Sequence, residues 1–199
     1  MPLAYHLAFT SRKVHSAAYW DQRLEESWDS PSRHWPGKNR LIESLTAKHQ
    51  RILDIGCGNG GILRHLQSCG YTRLYGLEHS AYACQRLTDE GITMIHGSLQ
   101  NIPRTSERFD VVIASQVLEH IIPRDRFIRE LKAVLHPDGR VLVFVPDNCL
   151  NPLDEPEHVA VYTRATLGRF LSRHFAEVEV KSIVERDAPI LFAQMCRPK

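Results

Sequence analysis

The sequence predicts an α/β fold built on a mostly parallel sheet with helices on both of its faces. Residues 51–63 have the pattern of a short apolar strand, a glycine-rich turn and the start of an amphipathic helix. Further apolar runs of strand length alternate with helical patterns along the chain. Two strand patterns with no helix between them then close it. Five β–α units followed by a strand pair are therefore expected.

Residues 1–50 precede the first strand and are predicted to form a helical cap. Apolar spacing predicts a helix that ends near Ser27, and Pro31 and the pair Pro36-Gly37 break the pattern. Residues 38–48 are predicted to form a second helix. Such a segment can cap an active site or simply cover an edge of the core, and both interpretations remain open.

The core is predicted over residues 51–199, so that the whole chain, 1–199, is one domain. Short runs of branched or bulky apolar residues predict the later strands at residues 73–78, 93–96, 109–114 and 140–146. Helices are predicted at residues 81–89, around 127–135 and at 163–174, and a turn at 136–139. The closing strands are predicted at residues 176–183 and 190–196.

The composition is that of an ordinary soluble protein, with 43% hydrophobic and 24% charged residues. Because the formal charge is only +2 and the basic residues are scattered, no nucleic-acid or lipid-surface partner is expected. No segment has signal-peptide or membrane-span character. Five cysteines without a close pair favour a reducing, cytoplasmic location, and the spacing of the eleven histidines predicts no metal site.

The glycine-rich turn fits two spacings. Gly56, Gly58 and Gly61 satisfy the dinucleotide pattern G-x-G-x-x-G, whereas Gly56, Gly58 and Gly60 satisfy G-x-G-x-G. Asp54, two residues before the first glycine, separates the two interpretations. A carboxylate there would repel a pyrophosphate, but it suits a ligand that is cationic or presents an amino group. This counts against a nicotinamide-dependent dehydrogenase, as does the short chain after the fifth strand.

Asp-x-Gly-x-Gly-x-Gly at the end of a first strand resembles motif I of the class I S-adenosylmethionine-dependent methyltransferases. The stretch Ser115-Gln116-Val117-Leu118-Glu119-His120-Ile121-Ile122 resembles the fourth-strand region of the ubiquinone/menaquinone-biosynthesis type, a methyltransferase type 11/12-like domain. The resemblance covers about residues 38–196. It implies a Rossmann-like, seven-stranded, mostly parallel sheet with a C-terminal antiparallel strand pair. It also implies S-adenosyl-L-methionine as cofactor and S-adenosyl-L-homocysteine as product.

The resemblance implies a cofactor site at the carboxyl ends of the strands. Glu78 lies about 20 residues past the glycines, where a ribose-binding carboxylate belongs. Ser98 and Leu99 stand where the family often carries an acid that reaches the adenine amino group, so this chain departs from the pattern there. Ser115 and Gln116 would border the sulfonium. The expected cofactor-binding set is Asp54, Gly56, Cys57, Gly58, Gly60, Glu78, His79, Ser98, Leu99, Ser115 and Gln116.

The implied reaction transfers the sulfonium methyl group to an O, N, S or C nucleophile of a small-molecule acceptor. His120 and His158 are candidate bases, because imidazole titrates near neutral pH. His120 can equally serve to hold its loop, and His158 can simply be solvated. Trp20, Tyr162 and Asn148 are further candidates for the acceptor pocket.

Two other functions stay open. One is a catalytically silent cofactor-binding or regulatory subunit, and the other is a methyltransferase that acts on a protein or RNA. The absence of an Asn/Asp-Pro-Pro-Tyr/Phe tetrapeptide after the fourth strand counts against a base-modifying enzyme.

Overall fold

The computed structural model describes residues 16–102, 108–147 and 158–199. The strands are β1 (Ile52–Ile55), β2 (Leu74–Glu78), β3 (Thr93–His96), β4 (Phe109–Ser115), β5 (Leu135–Pro146), β6 (Phe175–Glu185) and β7 (Ala188–Pro198). The helices are α1 (Ala17–Ser27), α2 (Pro36–Ser44), α3 (Gly61–Ser68), α4 (Ala81–Asp89), α5 (Arg124–Val134) and α6 (Arg164–Leu171). Short 3₁₀ turns lie at Pro31–Arg33, Leu99–Asn101 and Leu118–His120.

The seven strands form one sheet in the order β3-β2-β1-β4-β5-β7-β6. The strands from β1 to β5 pair in parallel, and β7 is antiparallel to both β5 and β6. The predicted mostly parallel sheet with a closing antiparallel pair is therefore confirmed. Because β1 pairs with β2 on one side and with β4 on the other, the order reverses between β1 and β4. Open α/β sheets bind ligands at such a switch point, outside the carboxyl ends of the strands.

Apolar side chains of alternate strand residues pack on opposite faces of the sheet, as the period of two requires. On one face, Leu53 and Val112 join a buried cluster with residues of α5 and α6. On the other, Ile52 and Ile113 join a cluster with residues of α1, α2, α3 and α4. The predicted placement of helices on both faces is confirmed.

Some element boundaries differ from those predicted. α2 begins at Pro36 instead of residue 38, because proline suits the first turn of a helix, where its missing N–H has no partner to lose. The predicted turn at residues 136–139 lies inside β5. Between the pairs Phe109–Leu135 and Val111–Arg140 the register shifts, so the intervening residues leave the ladder as a bulge. β6 and β7 are also longer than predicted.

The described part of the predicted N-terminal cap, residues 16–50, contains α1, α2 and the 3₁₀ turn between them. Hydrogen bonds join it to the core. The carboxylate of Asp21 in α1 accepts from the Ser80 hydroxyl (2.6 Å) and the Tyr82 N–H (3.0 Å) at the start of α4. The Glu185 carboxylate accepts from the N–H groups of Gly37 (2.5 Å) and Lys38 (2.8 Å) at the start of α2. Both attachments are at the edge of the sheet where the parallel strands end.

Among residues 16–102, 108–147 and 158–199, none of the helices has the length and apolar character that crossing a bilayer requires.

Candidate active site

A cavity of about 780 Å³ lies at the carboxyl ends of β1, β2 and β4, beneath the two N-terminal helices. Its floor includes Asp54, Gly56 and Glu78, and its roof includes residues of α1 and α2. A second cavity of about 240 Å³ adjoins it and shares Gly56, Glu78 and His79 with it. The other predicted site residues that line the larger cavity are Cys57, Gly58, His79, Ser115, Gln116, His120 and His158.

The glycine-rich turn brings backbone against the cavity. Gly56 has φ of +63° and Gly58 has φ of +54°, a left-handed conformation that glycine adopts without a Cβ penalty. At Gly56 space is also limiting, because a Cβ there would lie 2.7 Å from Cγ2 of Val117. Cys57 follows Gly56 on the cavity wall, and burial raises the pKa of its thiol well above the usual range. The turn therefore presents main chain and one un-ionised thiol to a ligand.

Gly60 is placed differently from its neighbours, because it lines neither cavity. Its N–H donates to the carbonyl of Cys57 (2.9 Å), and its φ of +74° starts α3. A Cβ on Gly60 would lie 2.4 Å from Cδ2 of Leu87. The structure therefore shows Gly60 as a packing and turn residue, and does not bring it to the predicted cofactor site.

The Glu78 carboxylate ties the end of β2 to the glycine turn. Its Oε1 accepts from the N–H groups of His79 (2.7 Å) and Ser80 (3.0 Å), and its Oε2 accepts from the Gly58 N–H (2.9 Å). A carboxylate has about four acceptor positions, so one remains beyond these three bonds. Glu78 lines both cavities, and its remaining acceptor position is available to a ligand hydroxyl.

Asp54 is a buried carboxylate at the cavity floor, only 1% exposed. Its Oδ1 receives no hydrogen bond from any residue that the structure describes. Burial raises the pKa of Asp54 to about 7, against the opposing effect of the Lys38 ammonium and with a smaller contribution from the Glu78 carboxylate. A buried, unsatisfied acceptor of this kind fits a ligand that brings an amino group or other cation.

Lys38 is a site residue that the sequence analysis missed. It lies in α2 and is 7% exposed, and its Nζ donates to the Ser115 hydroxyl (2.8 Å). Burial lowers the pKa of Lys38 to about 8, against the carboxylates of Asp54, Glu185 and Glu119. Nothing in the local sequence marks this lysine, because its position depends on how α2 packs over the sheet.

Ser115 and Gln116 lie at the end of β4, where the resemblance implied the sulfonium. Gln116 has φ of +57°, which is uncommon for a residue with a side chain. Its N–H donates to the carbonyl of Phe144 (2.8 Å), so pairing with β5 holds this conformation. Backbone outliers held by their surroundings cluster at functional sites.

Ser98 and Leu99 line the second cavity and not the first. The Ser98 hydroxyl donates to Oδ1 of Asn101 (3.2 Å), and the Ser98 N–H donates to the same oxygen (2.7 Å). Leu99 is buried at 6% exposure. This side of the site is therefore a largely apolar extension that starts at Glu78 and His79.

His120 and His158 meet on the wall of the larger cavity. Their ring centroids are 4.9 Å apart, and the ring of Trp20 lies 5.7 Å from that of His120. Both histidines and Trp20 line the cavity. Tyr162, by contrast, is buried in the core at 1% exposure and is not among the lining residues. Asn148 lies outside the described residues.

Glu119 is a second residue that the sequence analysis missed. It is fully buried, and neither of its carboxylate oxygens receives a hydrogen bond within the described ranges. Burial raises the pKa of Glu119 to about 8. One ligand atom from each of Glu119, His120 and His158 lies within 4.8 Å of the others. The spacing of histidines could not disclose this group, because its third member comes 38 residues after the second.

Comparison with known proteins finds similarity to methyltransferases. Residues 53–143 match the family model described as "Methyltransferase domain". A phthiotriol/phenolphthiotriol dimycocerosates methyltransferase of Mycobacterium ulcerans is 33% identical over 129 residues, 61% of this chain and 47% of that protein. Over residues 53–143, a little under half of the chain, the protein is similar to the class I S-adenosylmethionine-dependent methyltransferases that its sequence resembles. A ubiquinone biosynthesis O-methyltransferase of Azorhizobium caulinodans is 31% identical over 117 residues, 56% of this chain and 45% of that protein.

The chain spans about half the length of the curated relatives it matches. A solved structure shows the same fold at lower identity. The 1,6-didemethyltoxoflavin-N1-methyltransferase of Burkholderia thailandensis, with bound 1,6-didemethyltoxoflavin and S-adenosylhomocysteine, matches with a TM-score of 0.71 at 14% identity. The match covers 90% of this chain and 86% of that one. The Rossmann-like fold that the resemblance implied is confirmed.

The cofactor that these matches support is S-adenosylmethionine. The residues of the cavity fit it in three respects. Asp54 offers a buried acceptor without a partner among the described residues, Glu78 retains acceptor capacity, and Gly56 leaves a space that a Cβ would fill. The two adjoining cavities are lined by every predicted cofactor residue except Gly60.

Proposed function

We propose that this protein transfers the methyl group of S-adenosylmethionine to an O, N, S or C nucleophile of a small-molecule acceptor. The observation that carries the proposal is the single cavity of about 780 Å³. Its volume is within the range of about 300–1,000 Å³ that small-molecule sites occupy. Its lining includes Asp54 and Glu78, which we assign to a cofactor end, and His120 and His158, which we assign to an acceptor end.

In this proposal the cofactor is held by the glycine turn and two carboxylates. Asp54 accepts from its amino group, Glu78 accepts from its ribose hydroxyls, and Ser98 and Leu99 flank the adenine. Lys38 is close enough to Asp54 and Ser115 to receive the methionine carboxylate. S-adenosylmethionine supplies an activated methyl: a lone pair of the acceptor bonds to the methyl carbon while the carbon–sulfur bond breaks and its electron pair stays on sulfur.

Alignment is the main contribution expected of the protein. Holding two reactants in a reactive orientation can lower a barrier by about 7–11 kcal/mol. The residues of α1 and α2 that line the cavity, including Trp20 and Lys38, would confine the acceptor and exclude water. Residues 16–50 thus act as the cap of a single domain whose core begins at residue 51.

A hydroxyl or ammonium acceptor also loses a proton. His120 and His158 line the acceptor end of the cavity, and their imidazoles are the groups that we assign to take it. Their ring contact, at 4.9 Å between centroids, supports a shared role more than two separate ones.

Titration calorimetry with S-adenosylmethionine, S-adenosylhomocysteine and NAD⁺ tests the cofactor site. The first two are expected to bind, and binding should be lost in an Asp54→Ala variant but kept in Asp138→Ala, where the acid is exposed. Transfer from tritium-labelled S-adenosylmethionine to pooled phenols, carboxylic acids, amines and thiols then tests the reaction. Binding of NAD⁺ alone would contradict the proposal. Cofactor binding with no transfer to any small acceptor, but transfer to RNA or protein, would favour a macromolecular substrate.

A further inference from the structure

The carboxylate of Glu119 and the imidazoles of His120 and His158, here called the Glu–His–His cluster, form a group of potential ligands at the acceptor end of the cavity. One ligand atom from each residue lies within 4.8 Å of the other two. We propose that the Glu–His–His cluster is a divalent-metal site, and that the bound ion takes an oxygen donor of the acceptor as a further ligand.

The state of Glu119 is the first argument for this site. Glu119 is fully buried, and both of its carboxylate oxygens are without a hydrogen bond in the parts of the chain that the structure describes. Buried polar groups in proteins are almost always satisfied, and an unsatisfied carboxylate is costly. The Lys38 ammonium acts on Glu119 only through space. A metal ion would provide the missing ligand for the carboxylate.

The backbone arrangement is the second argument. Glu119 and His120 are consecutive in the 3₁₀ turn Leu118–His120. The N–H groups of Val159 and Ala160 donate to the Glu119 carbonyl (2.8 and 3.1 Å), which fixes the chain immediately after His158. Main-chain bonds therefore hold all three residues in one place, so that small side-chain rotations suffice to close a site.

The donor set is the third argument. Two imidazoles and one carboxylate are the ligand types that zinc and related first-row ions bind, and three protein ligands leave a position open in catalytic sites. Ligand atoms around a tetrahedral zinc are about 3.4 Å apart, given bonds of about 2.0–2.1 Å. The ligand atoms of the cluster lie within 4.8 Å of one another, so their distances exceed the tetrahedral value by about 1.4 Å at most.

The open position would face the acceptor, because His120 and His158 both line the cavity. A divalent ion there lowers the pKa of a bound hydroxyl, so that its proton is lost near neutral pH. In the loaded protein the two imidazoles would hold the ion instead of acting as the base, and the proton of the bound hydroxyl would pass to solvent water. This consequence for the acceptor, an oxygen nucleophile, rests on the proposed function, whereas metal binding itself does not.

A second group of potential ligands offers an internal comparison. Glu43, His65 and Cys69 also approach one another, but the Glu43 carboxylate already contacts Nε2 of His65 at 2.8 Å, and all three are partly exposed. Its carboxylate is thus satisfied without a metal. The structure favours the Glu–His–His cluster, and the two groups can be separated by single substitutions.

The test is a titration of chelator-treated protein with Zn²⁺ by calorimetry, repeated with Co²⁺ by visible absorption. One ion per chain is expected. His120→Asn and His158→Asn should each weaken Zn²⁺ binding about tenfold or more. His136→Asn, at an exposed histidine, and His65→Asn, in the second group, should not change it. Glu119→Gln should behave as the two cluster variants do, with circular dichroism reporting whether this buried change is tolerated.

Absence of Zn²⁺ binding, or binding that is lost in His65→Asn but kept in His120→Asn and His158→Asn, would overturn the assignment. Titration of the same proteins with S-adenosylhomocysteine separates this result from the proposed function. A protein that binds Zn²⁺ but no S-adenosylhomocysteine would refute the proposed function and leave the metal site intact. The reverse pattern would refute the metal site alone.

Discussion

The two ends of the cavity are built in different ways. At the cofactor end, Gly58 and Glu78 belong to neighbouring β–α turns, and main-chain N–H groups hold the carboxylate in place. At the acceptor end, Trp20 and His158 come from opposite ends of the chain and meet His120 through ring contacts. The first end depends on backbone conformation, whereas the second depends on which side chains the fold brings together. A change of acceptor therefore requires fewer changes to the scaffold than a change of cofactor.

Lys38 is the residue that connects the two ends. Its ammonium lies in the field of Asp54 at the cofactor end and of Glu119 at the acceptor end. All three groups are buried, and burial moves the pKa of each toward neutrality. We therefore expect the charges of these three groups to respond to changes of pH near neutrality.

We expect the largest effect from a substitution that changes ligand affinity at the cofactor end and leaves the acceptor end unchanged. Asp54→Asn removes the buried carboxylate that we propose accepts the amino group of the cofactor. Losing one partner of a buried charge pair costs about 2–5 kcal/mol, so S-adenosylmethionine affinity should fall by a factor of about 30 or more. Calorimetry is the measurement, with Asp138→Asn as the exposed control. The Zn²⁺ affinity should be unchanged, and a parallel loss of both would show that the two ends are not independent.

A smaller loss is expected for Glu78→Gln. The amide keeps the shape but weakens the bonds to the ribose hydroxyls, each worth about 1.5–3 kcal/mol when charge-assisted, so affinity should fall about 10- to 100-fold. Because the native carboxylate also accepts three main-chain N–H groups, the melting temperature should drop as well. Thermal unfolding with and without S-adenosylhomocysteine measures both. Unchanged ligand affinity with a lowered melting temperature would assign Glu78 a structural role only.

The difference between the ends also explains what the sequence could predict. Buried parallel strands are continuous apolar runs, so β1 to β4 were placed to within about one residue. Asp54 and Glu78 were identifiable because each lies at the carboxyl end of a strand, at a characteristic distance from the glycines. Both line the cavity as expected. Their roles as ligands of the cofactor stay predictions.

The residues that could not be predicted depend on tertiary packing. Lys38 was assigned only to a helix, and its arrival beside Ser115 requires the Glu185 carboxylate, almost 150 residues away, to hold the start of α2. Glu119 comes four residues after the end of β4, and no local pattern shows that His158 will come beside it. Gly60 lines neither cavity, because the glycine pattern does not distinguish a residue on the cavity wall from one that lies against Leu87, and its role toward the cofactor stays a prediction.

A pH effect of about tenfold is expected at the cofactor end. Asp54 has a pKa of about 7, so the carboxylate that binds the amino group forms as the pH rises from about 6 to 8, and S-adenosylmethionine affinity should rise with it. The free energy of unfolding should instead fall as the pH rises. Because the folded-state pKa of Asp54 is above its ordinary value of 3.8, its contribution is full at low pH and is lost as the pH rises through about 7. Asp54→Asn should remove both trends, measured by calorimetry and thermal unfolding, and a wild-type affinity that is flat over this range would contradict the assignment.

The smallest expected effect tests the connection between the ends. In Lys38→Met the cation that opposes the burial of Asp54 is gone, so the pKa of Asp54 rises and the pH midpoint of S-adenosylmethionine binding should shift upward. At the acceptor end, Zn²⁺ affinity should increase by roughly two- to tenfold, because the Lys38 ammonium, which repels the Zn²⁺ ion, is no longer near Glu119. Lys48→Met, at an exposed lysine, is the matched control and should change neither quantity. If Lys38→Met leaves both the midpoint and the Zn²⁺ affinity at their wild-type values, the ammonium does not act on either carboxylate, and the cofactor and acceptor ends are electrostatically separate.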